Sequence, residues 1–424
     1  MTQSLSTVRD PRGWSALIVA IFAVLVCIRL GTPSRFYFDE VHYIPAARVL
    51  LQFDHITNRE HPLVGKEILA LALTWFGDKP VAWRVFPVIA GILTLIAFIR
   101  LMWFTTLSRF ATIAGGVLLA TGFVLFVQAR IAMLDIFMAC FTMIGLWMVA
   151  AAVRLPGQAR WRLAAAGIAM GLALGSKWNA APLAVLPGLT FLVLRIREAG
   201  PRFLTRRDCG PIPGISLIEA GVWLGVLPVV VYLATFWPVF FYAKNPLTIG
   251  GYWEYHKKMY ELQEQVVKPH PYMSRWYEWV IDWRPIWYLY ERVDGAQRGV
   301  LLIGNPFTMI VGLAAVAWCG WAGFMERNRP ALVFFGLYAV TIGMWIVAPK
   351  PVQFYYHYFL PSCFLLGALA VTLDQLWKEG WHKTALGSVI ASVVLFAIFY
   401  PIISAAHLEG PYSFQHWMWL NSWK

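Results

Sequence analysis

Phe36-Tyr37-Phe38-Asp39-Glu40-Val41-His42-Tyr43 lies between two apolar runs, 14 to 30 and 81 to 99, and is followed by Glu60-His61-Pro62-Leu63-Val64-Gly65-Lys66. The flanking runs are long enough to cross a hydrocarbon core of roughly 30 Å. An adjacent carboxylate pair, two histidines and a lysine beside such runs are costly near lipid and need water, mutual pairing or a substrate. The stretch is therefore read as the first outer loop of a polytopic membrane protein, and as its reaction centre.

Outward from that loop, further apolar runs occupy 111 to 128, 131 to 152, 162 to 176, 179 to 195, 216 to 242, 299 to 324, 331 to 348, 357 to 376 and 384 to 404. With the first two they predict about eleven transmembrane helices in an all-α fold. The polar break Gly175-Ser176-Lys177 separates the fifth run from the sixth. Placing the N-terminus in the cytoplasm puts Arg100 and Arg109, then Arg154, Arg160 and Arg162, then Arg195 to Arg207, in short inner loops, as the positive-inside rule requires. Two long loops, 31 to 80 and 243 to 298, and the C-terminal tail then fall outside. Arg9 and Arg12 precede the first run without a small-x-small cleavage site, so it is read as a retained span. The organisation expected is an N-terminal catalytic module (1–242), an outer aromatic and basic loop (243–298), and a C-terminal four-helix region with an outer tail (299–424).

Composition agrees with this class. The 424 residues are 59% hydrophobic and 13% charged, against about a quarter charged in soluble proteins. The formal charge of +13 fits inner-loop bias and lipid phosphates; without a soluble basic domain, nucleic acid is not an expected partner. None of the five cysteines sits in an expected outer loop, so no disulfide is expected. Glu67 to Gly77 is apolar but too short to span, and is expected to lie along the interface as an amphipathic helix. The second outer loop carries Trp276, Tyr288 and other aromatic residues, as a headgroup belt or a lid over the site would.

The polar residues select a reaction class. Asp39 and Glu40 cannot face the same way on a helix or strand, so one can act as base while the other orients the loop or acceptor. Asp135 lies near the outer start of the fourth run, where a carboxylate costs about 2.5–3.5 kcal/mol and calls for a partner or a site; Arg130 is its local candidate partner. His61, Lys66, Arg84, Arg130 and Lys177 gather on the same outer side, and Lys350 and His357 flank the ninth and tenth runs. Together these cations suit a lipid phosphate. One base and several cations is the inventory for transferring a sugar from a phosphate carrier, since the phosphate leaves readily once its charge is met.

These motifs resemble the protein O-mannosyltransferase family, membrane enzymes of the type C glycosyltransferase fold. Asp39-Glu40-Val41-His42 looks like the family's acidic motif and His61-Pro62-Leu63-Val64-Gly65-Lys66 like its His-Pro-Pro-Leu-Gly-Lys. Arg84 stands where the family has an essential second-span arginine. Arg130 to Asp135 is similar to its Arg-x-x-x-x-Asp, and Ser176-Lys177-Trp178 to its Lys-Trp. His270-Pro271-Tyr272, Gly304-Asn305-Pro306 and Gln353-Phe354-Tyr355-Tyr356-His357 look like its C-terminal region.

The resemblance implies an inverting transferase moving mannose from polyprenyl phosphate to Ser or Thr hydroxyls of proteins as they leave the export machinery. Asp39 would be the base and Glu40 would orient the acceptor or loop. Arg84, Lys66, His61, Arg130, Asp135, Lys177 and His357 would bind the donor's phosphate and sugar, and His42, Trp276 and Tyr288 would serve the acceptor or lid. No metal or other cofactor is implied. The 243–298 loop is too short for the β-trefoil domain of eukaryotic members, which implies a bacterial plasma-membrane protein with its site and C-terminus outside. A related transferase acting on lipid A or another glycan is the alternative, and a transporter or flippase a remote one.

Overall fold

The computed structural model describes residues 8–265 and 270–424. The first seven residues of the 1–242 module and residues 266–269 of the 243–298 loop lie outside the described part. The chain opens with α1 (Arg12–Cys27) and then lays α2 (Glu40–Leu51) and α3 (Val64–Phe76) in the first long loop. Next come α4 (Pro80–Thr106), α5 (Arg109–Ala120), α6 (Val124–Gln128), α7 (Leu134–Arg154), α8 (Ala159–Ser176) and α9 (Ala181–Ala199). α10 (Leu217–Gly221) runs through a π-helical turn, Val222–Val226, into α11 (Leu227–Ala234). The second long loop folds as α12 (Tyr252–Glu264), α13 (Trp276–Trp279) and a hairpin of β1 (Ile286–Val293) and β2 (Ala296–Leu302). α14 (Pro306–Met325), α15 (Arg329–Val347), α16 (Phe359–Lys378) and α17 (His382–Ile403) complete the bundle.

Helix occupies every one of the expected apolar runs. Among the described residues, eight segments are long and apolar enough to cross a membrane; α1, α5 and α8 are not among them. The protein is a multi-pass membrane protein. Burial sorts its helices: 83% of the most apolar window of Tyr355–Lys378 is inside the protein, against 17% for Leu217–Phe241, so α16 is central and α10–α11 turns its side chains outward. α7 packs on α4 and α8, α14, α15 and α16 pack on one another, and α5 bridges α4 and α16. Gly91 permits a close approach, because a Cβ there would stand 2.4 Å from Ala129 Cβ. α3 buries Lys66, Leu69, Ala70 and Leu73 on one face and exposes Leu71, Trp75 and Phe76.

The hairpin departs from an all-helical reading, and it moves a boundary. Residues 299 to 302, expected to begin a span, belong to β2, and helix starts only at Pro306. Asp294 (φ 50°) and Gly295 (φ 73°) form its tight turn with both residues left-handed, the turn that suits the twist of paired strands. The hairpin lies between the two halves of the chain. Ser34 N donates to Asp294 at 2.9 Å and Arg35 Nε to Glu291 at 3.0 Å. From the other side, Leu408 N donates to Gln297 O at 2.9 Å, Tyr290 Oη to Pro411 O at 2.9 Å, and Trp287 Nε1 to Trp423 O at 3.3 Å.

Candidate active site

Asp39 is the residue that caps the start of α2, and its carboxylate is half-buried. Among the described residues, no hydrogen bond or ion pair engages that carboxylate. Burial pushes it up to about 6, against the opposing pull of Lys177, His42 and Lys350, with Asp135 adding to the rise. Such a group is ionised at neutral pH and still basic enough to take a proton. Phe38, immediately before it, holds φ at 50°, a conformation that costs a non-glycine residue roughly 1–3 kcal/mol and persists only where surroundings enforce it.

Glu40 is the opposite case. It is 0% exposed, and each of its oxygens is taken twice: Oε1 by Arg84 Nε (2.9 Å) and Ala132 N (3.1 Å), Oε2 by Arg84 Nη2 (2.9 Å) and Tyr37 N (3.3 Å). Its lone pairs are thus engaged within the protein, and it orients the loop, one of the two roles expected of it.

Three of the expected phosphate cations are likewise occupied. Arg84 gives its remaining donors to the carbonyls of Leu30, Pro33 and Arg35 at 2.8–3.1 Å, so its guanidinium is fully engaged by the first loop. Arg130 donates to Val26 O at 2.7 Å, Leu25 O at 3.3 Å and Ser404 O at 3.2 Å; these include the last carbonyls of α1, a place where cations are favoured. Lys66 donates to Asn58 O at 2.7 Å and His61 O at 2.8 Å and pins the loop that precedes α3. A buried polar group needs partners of this kind; Arg130 and Lys66 find them in backbone, and Arg84 in backbone and the Glu40 carboxylate.

Lys177 and Lys350 are placed differently. The break between α8 and α9 leaves Lys177 extended (φ −162°, ψ 137°), and its ammonium reaches both oxygens of Asp135, in the first turn of α7, at 2.8 and 2.9 Å. The partner of Asp135 is thus Lys177, not Arg130. The Lys177 ammonium also lies 4.8 Å from the centre of the Tyr356 ring. Lys350, in the segment between α15 and α16, meets, among the described residues, a neutral amide, Gln263 Oε1 at 2.8 Å. Burial, with Lys177 nearby, pushes it down to about 8.

Both lysines line one open cleft of about 260 Å³, together with Glu60, His61, Trp178, Asn179, Tyr260, Gln263 and Trp345. Gln263, near the end of α12, also donates to Glu60 O and so ties α12 across the cleft mouth. Burial and the surrounding lysines push His61 well below the usual imidazole range, so it is neutral. Asp39 is close enough to feel the charges of both lysines but is not itself on the cleft lining.

The remaining expected residues divide. His357 lines a small inner cavity beside the cleft with Asp135, Asn179 and Trp345; its Nδ1 accepts from Phe354 N at 3.0 Å and its Nε2 is buried without a partner among the described residues. His42 is exposed on α2, one turn beyond Asp39. Trp276, on α13, packs against Tyr277 and is not on the cleft. Tyr288 is 4% exposed and stacks on Phe38, so it is an internal residue and not part of a lid. Gln263, Asn179 and Tyr356 were not singled out by their sequence. Neutral side chains in aromatic or polar stretches carry no charge or motif signal, and only the fold gathers them.

The chain's similarities agree with this arrangement. Residues 75–242 match the family described as dolichyl-phosphate-mannose-protein mannosyltransferase, and residues 248–423 match the C-terminal four-span region of protein O-mannosyltransferase. The polyprenol-phosphate-mannose–protein mannosyltransferase of Mycobacterium tuberculosis is 26% identical over 97% of this chain and 92% of its own. That of Corynebacterium glutamicum is 25% identical over 98% and 94%. In fold, the chain superposes on the Saccharomyces cerevisiae Pmt1-Pmt2 complex bound to the sugar donor with a TM-score of 0.82 at 14% identity, covering 97% of this chain and 92% of that one. It also resembles ArnT from Cupriavidus metallidurans in the apo state (TM-score 0.57, 17% identity, 89% of this chain and 62% of that one). An occupied buried pair at the head of α2, a free carboxylate beside it and lysines at an adjoining cleft sit in the order of segments that these matches span. The chain belongs to the protein O-mannosyltransferase family.

Proposed function

We infer that this protein is an inverting glycosyltransferase that moves mannose from a polyprenyl-phosphate carrier to Ser or Thr hydroxyls of exported proteins. The reading places the reaction at the outer face of a bacterial plasma membrane, with the N-terminus in the cytoplasm and the C-terminal tail outside. Its acceptors are proteins emerging from export, and its surroundings are membrane lipids. The observation that carries it is a carboxylate without a partner among the described residues, Asp39, close to lysines that line a cleft, Lys177 and Lys350.

In this reading Asp39 takes the proton of the acceptor hydroxyl. The hydroxyl oxygen attacks C1 of the sugar from the face opposite the phosphate. The C1–O bond to phosphate breaks, and its electron pair leaves with the polyprenyl phosphate, so a β-linked donor gives an α-mannoside. Lys350 is the freer of the two cations, because its present partner is a neutral amide while Lys177 is already balanced by Asp135. Both meet the charge that grows on the phosphate, where one preorganised donor contributes about 3–4 kcal/mol and a positioned base about 100- to 10,000-fold. His357 Nε2 is available to a donor hydroxyl. Since ammonium groups meet the phosphate charge, the reading assigns no step to a metal, and a chelator is expected to leave transfer unchanged.

The test is transfer from labelled polyprenyl-phosphate mannose to a Ser/Thr-rich peptide by the purified protein, beside Asp39→Asn. Labelled peptide from the wild type alone supports donor, acceptor and base together. Donor turnover without labelled peptide would move the acceptor to a lipid or glycan.

A further inference from the structure

We propose that Tyr288 is a positioning residue for the base: a bulge in β1 drives its ring onto Phe38 and thereby fixes the direction of the Asp39 side chain. The inference rests on Asp39 being the base, and adds the C-terminal half of the chain to the residues that set it.

The bulge comes first. Trp287 pairs with Leu301 and Leu289 with Val300, so Tyr288 is one extra residue with no partner on β2. Alternation would send Tyr288 and Leu289 to opposite faces; with the bulge both are buried. Bulges re-aim side chains in this way, and this one aims at the first loop. The Tyr288 ring lies 4.1 Å from that of Phe38, at 22°. Tyr356 also meets Phe38, edge-on at 6.1 Å, and in turn lies under the ammonium of Lys177. Gln128 Nε2 donates to Tyr288 Oη at 3.3 Å, which fixes the ring from the third side.

The energetics explain why the stack is needed. The left-handed backbone of Phe38 costs roughly 1–3 kcal/mol. Each aromatic pair returns about 0.5–1.5 kcal/mol beyond its buried area. Two pairs together, about 1–3 kcal/mol, match that cost, and one covers about half of it. Without Tyr288, Phe38 relaxes to negative φ and the Asp39 carboxylate, one residue on, swings with it.

The experiment is steady-state transfer by purified full-length variants, with folding checked by thermal unfolding and by binding of undecaprenyl phosphate. Tyr288→Ala is expected to lower kcat by about 100-fold, the size of effect a 1 Å misplacement produces, with the donor KM within threefold. Its acid pH limb is expected to move lower, as water reaches the carboxylate. Tyr288→Phe keeps the ring and is expected to stay within twofold of wild type. Should Tyr288→Ala fail to fold, Tyr288→Leu fills the volume without a flat ring and carries the same direction of change. Wild-type kcat and pH limb in Tyr288→Ala overturn the proposal. So does a Tyr288→Phe variant that falls as far as Tyr288→Ala, which would make the hydroxyl and not the stack the active feature. An active Asp39→Asn overturns the base assignment beneath it, whereas an inactive Asp39→Asn beside a silent Tyr288→Ala overturns this inference alone.

Discussion

Replacing Arg84 by alanine separates a structural role from a donor-binding one. The substitution leaves the Glu40 carboxylate, wholly inside the protein, with only the Tyr37 and Ala132 amides. It also strips a partner from the carbonyls of Leu30, Pro33 and Arg35. Breaking a buried pair by removing one member costs about 3–5 kcal/mol, a large share of a total stability on the order of 5–15 kcal/mol. Thermal unfolding of the purified protein is therefore expected to shift down by several degrees or more. Binding of undecaprenyl phosphate, measured below the transition, is expected to stay within twofold per folded molecule. The double variant Arg84→Met, Glu40→Gln removes both charges and is expected to recover part of the loss. An unchanged transition together with at least a tenfold loss of lipid affinity would refute this account and put the guanidinium on the phosphate.

The activity of the wild type is expected to follow a bell in pH, rising as Asp39 ionises through about 6 and falling as Lys350 loses its proton through about 8; a flat profile from 5 to 9 would exclude both roles. Asp39→Asn is expected to abolish transfer while lipid binding persists, since the carboxylate makes no bond that holds the fold. Lys350→Ala is expected to weaken undecaprenyl phosphate binding by about tenfold, the effect of one charge-assisted hydrogen bond, without changing thermal stability. Lys177→Ala, by contrast, leaves Asp135 as an unpaired buried carboxylate and is expected to destabilise by about 3–5 kcal/mol. Gly91→Ala drives a methyl group into Ala129 and is expected to cost about 1–3 kcal/mol in unfolding measurements, with kcat of the folded fraction retained.

The membrane segments were legible because apolar length is the property that makes them span, and no tertiary detail is needed to recognise it. The reaction centre was legible because charge beside a span demands a reason. What the sequence did not separate was which charges the fold itself consumes. Arg84, Arg130 and Lys66 look like Lys350 in a list of cations, yet their donors end on the Glu40 carboxylate and on backbone carbonyls brought from 49 to 54, 104 or 274 residues away, or from the adjoining loop. Such pairings are set by packing. The hairpin carried a local signal, Asp294-Gly295 after the strand-favouring Ile286-Trp287-Tyr288-Leu289-Tyr290, that the aromatic-belt reading of the loop obscured.

The hairpin's seat between the two halves also bears on how the enzyme is made. A ribosome delivers the loop at 36–39 early, the hairpin at 286–302 much later, and the tail contacts at 405–423 later still. On the roles proposed above, a nascent chain holding all of α1 to α9 already has its base but lacks the ring that aims it. Catalytic competence is delayed until the hairpin and its tail supports have been inserted, and half-made copies in the membrane stay silent toward the donor around them.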